Sequence, residues 1–231
     1  ILKDLGYDVL LSNRIYDSLL FWKYDILFSY FYRYSFFAAL LAKCFGKKTY
    51  FTGGIDSLDS DYASAFNYKI QVLFFKLCYW VADSCIIVSQ SELKNVIKVS
   101  SFKKKLTYSE YVINSKLFIA DVPKEKIFTS IVWMGDEGNV VRKGVDKALQ
   151  IFAELKKIPE FVDYRFVIIG RKGEGEVLVR SIIDKYNLKG SVELKGEVSE
   201  EDKINLLKQS KYYFQLSLYE GFGLALSLIH I

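Results

Sequence analysis

The sequence predicts an α/β fold of two parallel-sheet lobes, and three observations carry that expectation. Short apolar runs alternate with longer stretches of helical period through the whole chain, the pattern of a parallel sheet covered by helices. The 231 residues include 14 Gly and only 2 Pro, so connections are short and a length between one and two typical domains accommodates two small lobes. Pro123 and the polar Lys124-Glu125-Lys126 mark the boundary, dividing the chain into residues 1–126 and 127–231.

In the first lobe, Tyr7 to Leu11, Asp25 to Ser29, Lys48 to Thr52 and Ser84 to Ser89 read as strands. Residues 31–45, 65–81 and 90–99 read as helices, and Phe102 to Phe118, with its Lys103-Lys104-Lys105 run, as a loop followed by a helix. In the second lobe, Ile127 to Met134 is a strand, Gly144 to Lys157 an amphipathic helix, Tyr164 to Ile169 a strand ending at Gly170, and Glu174 to Tyr186 a helix. Val192 to Leu194 is a short strand. Ser199 with Asp202 three residues later predicts a helix cap opening Glu200 to Gln209, and Tyr212 to Leu216 is the next buried strand before the Glu220-Gly221-Phe222-Gly223 loop. The chain opens Ile-Leu-Lys without a Met, and Leu226 to Ile231 stop in the first turns of an expected helix. Both ends therefore read as truncated, and the second lobe as incomplete.

Composition excludes several classes of function. The protein is 51% hydrophobic and 26% charged, with mean hydropathy +0.13, values of an ordinary globular chain. The three cysteines, Cys44, Cys78 and Cys85, form no CxxC pair, so neither a disulfide framework nor a cysteine zinc site is supported and a reducing cytoplasmic setting fits best. The single histidine, His230, lies one residue from the end, which disfavours Ser-His-Asp and Cys-His catalysis and His-ligated metals. No apolar stretch reaches the length that spans a bilayer. No basic helix or nucleic-acid motif accompanies the lysine run, so nucleic acid is not an expected partner.

Charge is uneven. Residues 1–128 carry 17 Lys+Arg against 12 Asp+Glu, which accounts for the whole net charge of +5, and 14 of the 38 aromatic residues fall in the first 50 positions. A basic, aromatic first lobe suits peripheral contact with an anionic membrane on its inner face, although the sequence by itself favours a basic solvated face over an aromatic core.

Ligands of open parallel sheets sit at the carboxyl ends of strands, where loops lead into helices. That rule selects three places. In SLYEGFG, a carboxylate precedes two glycines that permit close backbone approach at a helix start, where free N–H groups bind phosphate. Arg142-Lys143-Gly144 places cations at the entry of the helix that follows Ile127 to Met134, where countercharge for a diphosphate is needed. Gly170 ends the run FVIIG and leaves room for a ligand. Gly170, Gly173 and Gly175 do not follow the dinucleotide fingerprint order, and Asp59-Ser60-Asp61 is a commonplace acidic loop although it looks like a DxD metal motif.

Together these residues resemble glycosyltransferase family 4, the glycosyl transferases group 1 with a GT-B fold of two Rossmann-like lobes. RKGVDKALQIFAEL is similar to the family's KG helix, YRFVIIG to its next strand, and VELKGEVSEEDKINLLKQSKYYFQLSLYEGFG to its base- and donor-sugar-binding region. YDVLLS, KKTYFTGGID and ADSCIIVSQSE look like its acceptor lobe. The resemblance implies a retaining enzyme that moves a sugar from a nucleotide diphosphate sugar to a glycan or lipid-linked acceptor, without a metal. On matching positions it implies that Lys143, with Arg142, neutralises the leaving diphosphate and that Glu220 holds the donor sugar. It further implies that Gly221, Phe222 and Gly223 present backbone N–H groups to sugar and phosphate, that Gly170 lines the donor site, and that Gly196, Glu197 and Val198 lie beside the nucleobase. Three positions depart from the pattern: Asp136 stands where the family has an arginine, Gly53 where it has a histidine, and Leu228 where it has a second glutamate. Two other readings share the architecture, a nucleotide- or glycan-binding module without turnover and a sugar-nucleotide epimerase. The epimerase needs further acid/base carboxylates and typically histidine.

Overall fold

The computed structural model describes residues 6–12, 14–53, 58, 65–100, 105–110, 122–218 and 220. The chain divides into two compact units, Ile1–Tyr111 and Val112–Ile231.

In the first unit, 3-10 turns at Ile15–Leu19 and Phe21–Lys23 precede β1 (Ile26–Tyr30), α1 (Tyr32–Cys44), β2 (Lys48–Thr52), α2 (Ala65–Val81), β3 (Ser84–Ile87), α3 (Gln90–Val99) and β4 (Leu106–Tyr108). The strands form a parallel sheet in the order β1-β2-β3-β4. Parallel neighbours require a crossover, and α1, α2 and α3 supply one each between the first three pairs. Alternate residues of β2 and β3, Phe51, Cys85 and Ile87, point to one face and pack with Tyr32 of α1 and Phe75, Cys78 and Tyr79 of α2. Ser89 caps α3 by accepting the Glu92 N–H at 3.1 Å, while the Glu92 carboxylate accepts the Val88 N–H at 2.9 Å. Lys105 donates to the Tyr79 and Trp80 carbonyls at 3.3 and 2.8 Å, satisfying the C-terminal end of α2.

Two expectations for this unit are corrected. Residues 7–11 form no strand: Tyr7, Leu10 and Leu11 are exposed, and among the described residues no strand pairs with them. An apolar run becomes a strand only where a neighbour completes its ladder. The tract read as beginning with a loop contains β4, whose Leu106 pairs with Cys85, because the open edge of β3 offers the missing ladder partner. The helix expected to follow it falls on residues 111–118, outside the described residues, as do Asp59, Ser60 and Asp61.

The second unit runs β5 (Glu125–Ile131), α4 (Glu137–Arg142), α5 (Val145–Leu155), a 3-10 turn at Pro159–Phe161, β6 (Arg165–Ile169), α6 (Glu176–Lys185), β7 (Val192–Gly196), α7 (Glu200–Gln209) and β8 (Ser210–Tyr213). Its sheet is parallel with order β7-β6-β5-β8. The central strands are buried on both faces, which is why they read as continuous apolar runs. Phe128, Phe166 and Ile168 pack with Leu149 and Phe152 of α5 and Val179 and Ile183 of α6. Ile127, Val167 and Ile169 face the other way, against Leu206 of α7. Phe128 also stacks on Tyr212 and Phe214 with ring centroids 4.9 Å away in each case, fastening β8 to β5. Ser199 caps α7 as expected, accepting the Asp202 N–H at 3.0 Å.

The stretch before α5 is not the simple loop the sequence suggests. Asp136 accepts the Asn139 N–H at 2.7 Å and starts a separate short helix, α4, which ends at Arg142. β8 begins two residues before the expected strand and ends at Tyr213, with the next N–H, on Phe214, donating to the Thr129 carbonyl at 2.9 Å.

Candidate functional site

The site is built at the carboxyl edge of the second sheet, from the chain that follows the neighbouring strands β5 and β8. Lys143 is the C-cap of α4, and Gly144, in the left-handed region at φ 67°, turns the chain into α5. A Cβ on Gly144 would stand 2.1 Å from the Leu216 carbonyl oxygen, so glycine lets the segment after β8 lie directly over the α4–α5 junction. The Leu218 N–H donates to the Arg142 carbonyl at 2.8 Å and fixes that approach. The consequence is a contact between residues 77 positions apart: Lys143 Nζ donates to Glu220 Oε1 at 2.6 Å.

Glu220 is held by more than the lysine. Gln215 Nε2 and Ser217 Oγ donate to the same Oε1 at 2.6 and 2.7 Å, while Oε2 has no donor among the described residues. The Tyr213 hydroxyl donates to Gln215 Oε1 at 3.1 Å and accepts the Ile131 N–H at 3.3 Å. This chain ties the carboxylate to the last residue of β5. Burial, reinforced by the Glu220 charge, pushes the Tyr213 hydroxyl up to about 12, although the Ile131 N–H acts in the opposite direction. Tyr213 therefore stays a neutral donor. The Lys143 and Glu220 side chains are 22% and 27% exposed, enough for a ligand to reach both.

The remaining candidates are placed as follows. Arg142 lies in the last turn of α4 and donates to Asn139 Oδ1 at 3.1 Å, so its guanidinium is engaged along its own helix. Both cations sit at a helix C-terminus, where the dipole favours them, and not at a helix start as the sequence suggested. Gly170 ends β6 at φ 131°, and a Cβ there would stand 2.0 Å from the Val132 carbonyl oxygen. The loops after β5 and β6 therefore pack on one another, with the Met134 N–H donating to the Arg171 carbonyl at 2.9 Å. Gly196 ends β7 beneath Lys172, Glu197 is exposed, and Val198 packs against the Ile127–Val167–Ile169 side of the core. Gly221, Phe222, Gly223 and Leu228 lie outside the described residues. Asp136 is committed to capping α4. Gly53 has φ 75° and sits beside Tyr30 and Phe31 at the carboxyl edge of the first sheet.

Sequence reasoning passed over Arg171 and Lys172. They directly follow Gly170, the glycine that the sequence had already singled out at a strand end, and both are exposed at the carboxyl edge of β6. It also missed Gln215, read as part of a buried strand, and Ser217, which stood in the SLYEGFG loop with no role of its own. Among the described residues no group of three or more His, Cys, Asp or Glu side chains is placed to hold a metal ion. A shallow apolar depression at Gln150, Ile151, Glu154, Leu155 and Ile158 follows the C-terminal half of α5 and shares no residue with the cluster.

The two parallel four-stranded sheets with their helices match solved structures of the GT-B fold. Residues 138–227 match the family model Glycosyl transferases group 1. Sucrose-phosphate synthase from Thermosynechococcus elongatus superposes with a TM-score of 0.71 at 19% identity, covering 90% of this chain and 54% of that one. Anabaena Alr3699/HepE, solved in complex with UDP-glucose, superposes with a TM-score of 0.71 at 14% identity, covering 92% and 59%. TarM of S. aureus gives a TM-score of 0.66 at 17% identity, covering 85% and 38%. The chain thus spans little more than half the length of the first two. No curated protein sequence matches it.

Proposed function

We propose that the chain is part of a retaining glycosyltransferase that moves a sugar from a nucleotide diphosphate sugar to a glycan or lipid-linked acceptor. The observation that carries this reading is the 2.6 Å contact of Lys143 with Glu220, within the segment that matches the glycosyl transferases group 1. A half-buried ammonium and carboxylate at the carboxyl edge of a parallel sheet give a donor the two things it needs, positive charge for its diphosphate and an acceptor for its sugar hydroxyls. The complex of Alr3699/HepE with UDP-glucose supports a donor of this class.

In the proposed mechanism Lys143 exchanges Glu220 for the diphosphate when the donor enters, and Glu220 Oε1 and Oε2 accept sugar hydroxyls in its place. Gln215 and Ser217 keep the carboxylate oriented throughout. As the glycosidic bond to the nucleotide breaks, negative charge grows on the departing diphosphate, where one lysine contributes on the order of 3 kcal/mol. Arg171, Lys172 and Arg142 add positive potential at the same edge. Gly196, Glu197 and Val198 border the nucleobase, Gly170 the donor, and the backbone of Gly221 to Gly223 the sugar and phosphate. No metal is assigned a role, since lysine and arginine supply the countercharge.

Calorimetry with nucleoside diphosphates tests the reading. UDP or another nucleoside diphosphate is expected to bind the full chain and to bind Lys143→Ala at least tenfold more weakly; absence of any nucleoside diphosphate binding would overturn it. A second reading is favoured by Asp136, which caps α4 where the family pattern has a cation. It is a nucleotide- or glycan-binding module without turnover. Nucleotide binding with no donor hydrolysis or transfer by the full-length protein would select it.

A further inference from the structure

The solvent face of α2 carries a feature that sugar transfer does not use. Phe66, Leu73 and Trp80 are 73%, 56% and 73% exposed, and Lys69 and Lys76 between them are exposed as well. Spacings of 3, 4, 3 and 4 residues place all five side chains within an arc of about 80° at 100° per residue, along roughly 21 Å of helix. The opposite face holds Phe75, Cys78 and Tyr79 in the core, so the helix cannot rotate to bury the stripe. Single exposed apolar residues are ordinary; three aligned on one helix face and separated by lysines are a patterned surface.

The geometry points to α2 as a membrane-docking helix that lies on an anionic lipid surface, with Phe66, Leu73 and Trp80 entering the headgroup–acyl boundary and Lys69 and Lys76 meeting lipid phosphates. Charge complementarity selects this occupant. The helix contains two lysines and no acidic residue, Lys105 adds a cation at its Trp80 end, and the first 128 residues hold the whole positive excess of the protein. Lysines alternating with Trp, Phe and Leu on one face match the headgroup region, where phosphates and the apolar boundary lie within a few ångströms of each other. A second copy of the same helix would bring like charges together at the centre of the contact. The proposal rests on the general reading of a membrane contact for the basic first half and assigns that contact to one surface. It makes no use of the donor site.

The protein has three tryptophans, Trp22, Trp80 and Trp133, and the first and last are exposed. Trp22→Phe with Trp133→Phe leaves Trp80 as the only tryptophan of this sequence, read by exciting at the red edge where tyrosine does not absorb. Vesicles of phosphatidylglycerol and phosphatidylcholine at low salt are expected to shift its emission to the blue and to sediment the protein, whereas pure phosphatidylcholine does neither. Lys69→Gln with Lys76→Gln, substitutions at exposed positions, are expected to weaken partitioning about thirtyfold. Unchanged circular dichroism verifies that these variants fold. Sedimentation with anionic vesicles while Trp80 emission stays unchanged would overturn the assignment to α2 and leave the general membrane contact standing. Failure to bind anionic vesicles would overturn both. A concentration-dependent blue shift without lipid would identify the stripe as a self-association surface and overturn the proposal.

Discussion

Lys143 and Glu220 are joined at 2.6 Å because Gly144 lacks a side chain. The Leu216 carbonyl occupies the space a Cβ would need, and the Leu218 N–H holds the same segment to the Arg142 carbonyl. Charge at the site thus depends on a backbone approach made one residue away from the lysine.

Gly144→Ala is therefore expected to lose function as well as stability. The left-handed backbone alone costs about 1–2 kcal/mol, and relief of the overlap must displace the Leu216–Leu218 segment that carries Glu220. Thermal unfolding and nucleotide titration would both register it. Gly170→Ala is the comparison, since it meets the Val132 carbonyl at 2.0 Å and leaves the Lys143–Glu220 approach alone.

Ser217→Ala and Gln215→Leu each remove one donor to Glu220 Oε1 without touching the lysine. A hydrogen bond to a charged group contributes about 1.5–3 kcal/mol, so transfer should fall roughly tenfold or more while nucleoside diphosphate affinity changes little. Equal losses of kcat and of nucleotide affinity would contradict a role in orienting the carboxylate.

Tyr213 makes a prediction in alkaline solution. Its folded-state value is raised from 10.0 to about 12, so the unfolded chain releases the proton first. The stability it contributes is complete below pH 10 and is lost as pH rises from 10 towards 12, by an amount on the order of 3 kcal/mol at most. Tyr213→Phe should show a smaller loss than the parent across that window in denaturant titrations. Identical slopes would show that the hydroxyl is not shielded from water.

The cysteines separate by environment. Burial pushes the Cys78 thiol up to about 12 and that of Cys85 higher still, the latter reinforced by Glu92, whereas Cys44 is exposed. A maleimide at neutral pH should label Cys44 alone in the folded protein and all three residues after denaturation. Rapid labelling of Cys78 would mean that the Tyr32–Phe75 core opens readily.

Much of this organisation is legible in the residues themselves. Lys48–Thr52, Ala65–Val81 and Gln90–Val99 fall where periodicity puts them, because each is long or regular enough for packing and propensity to agree. Residues 7–11 carry the same local signal as a strand but lack a partner, which periodicity cannot reveal. The short α4 was hidden because six residues with one buried valine have no period to read; only the Asp136 cap marks its start. Lys143 and Glu220 were found by a rule about strand ends. The Gln215–Ser217 support escaped because it depends on side chains five and three residues before Glu220 converging on one oxygen, a fact of three-dimensional placement.

The division of roles between Lys143 and Glu220 is tested most directly by measuring transfer kinetics and nucleoside diphosphate affinity side by side for Glu220→Ala and Lys143→Ala in the full-length protein. Glu220→Ala is expected to lower transfer by about a hundredfold or more with little change in nucleotide affinity, since the carboxylate meets the sugar, whereas Lys143→Ala lowers both. Normal transfer by Glu220→Ala, or an equal loss of nucleotide affinity in the two variants, would contradict the account.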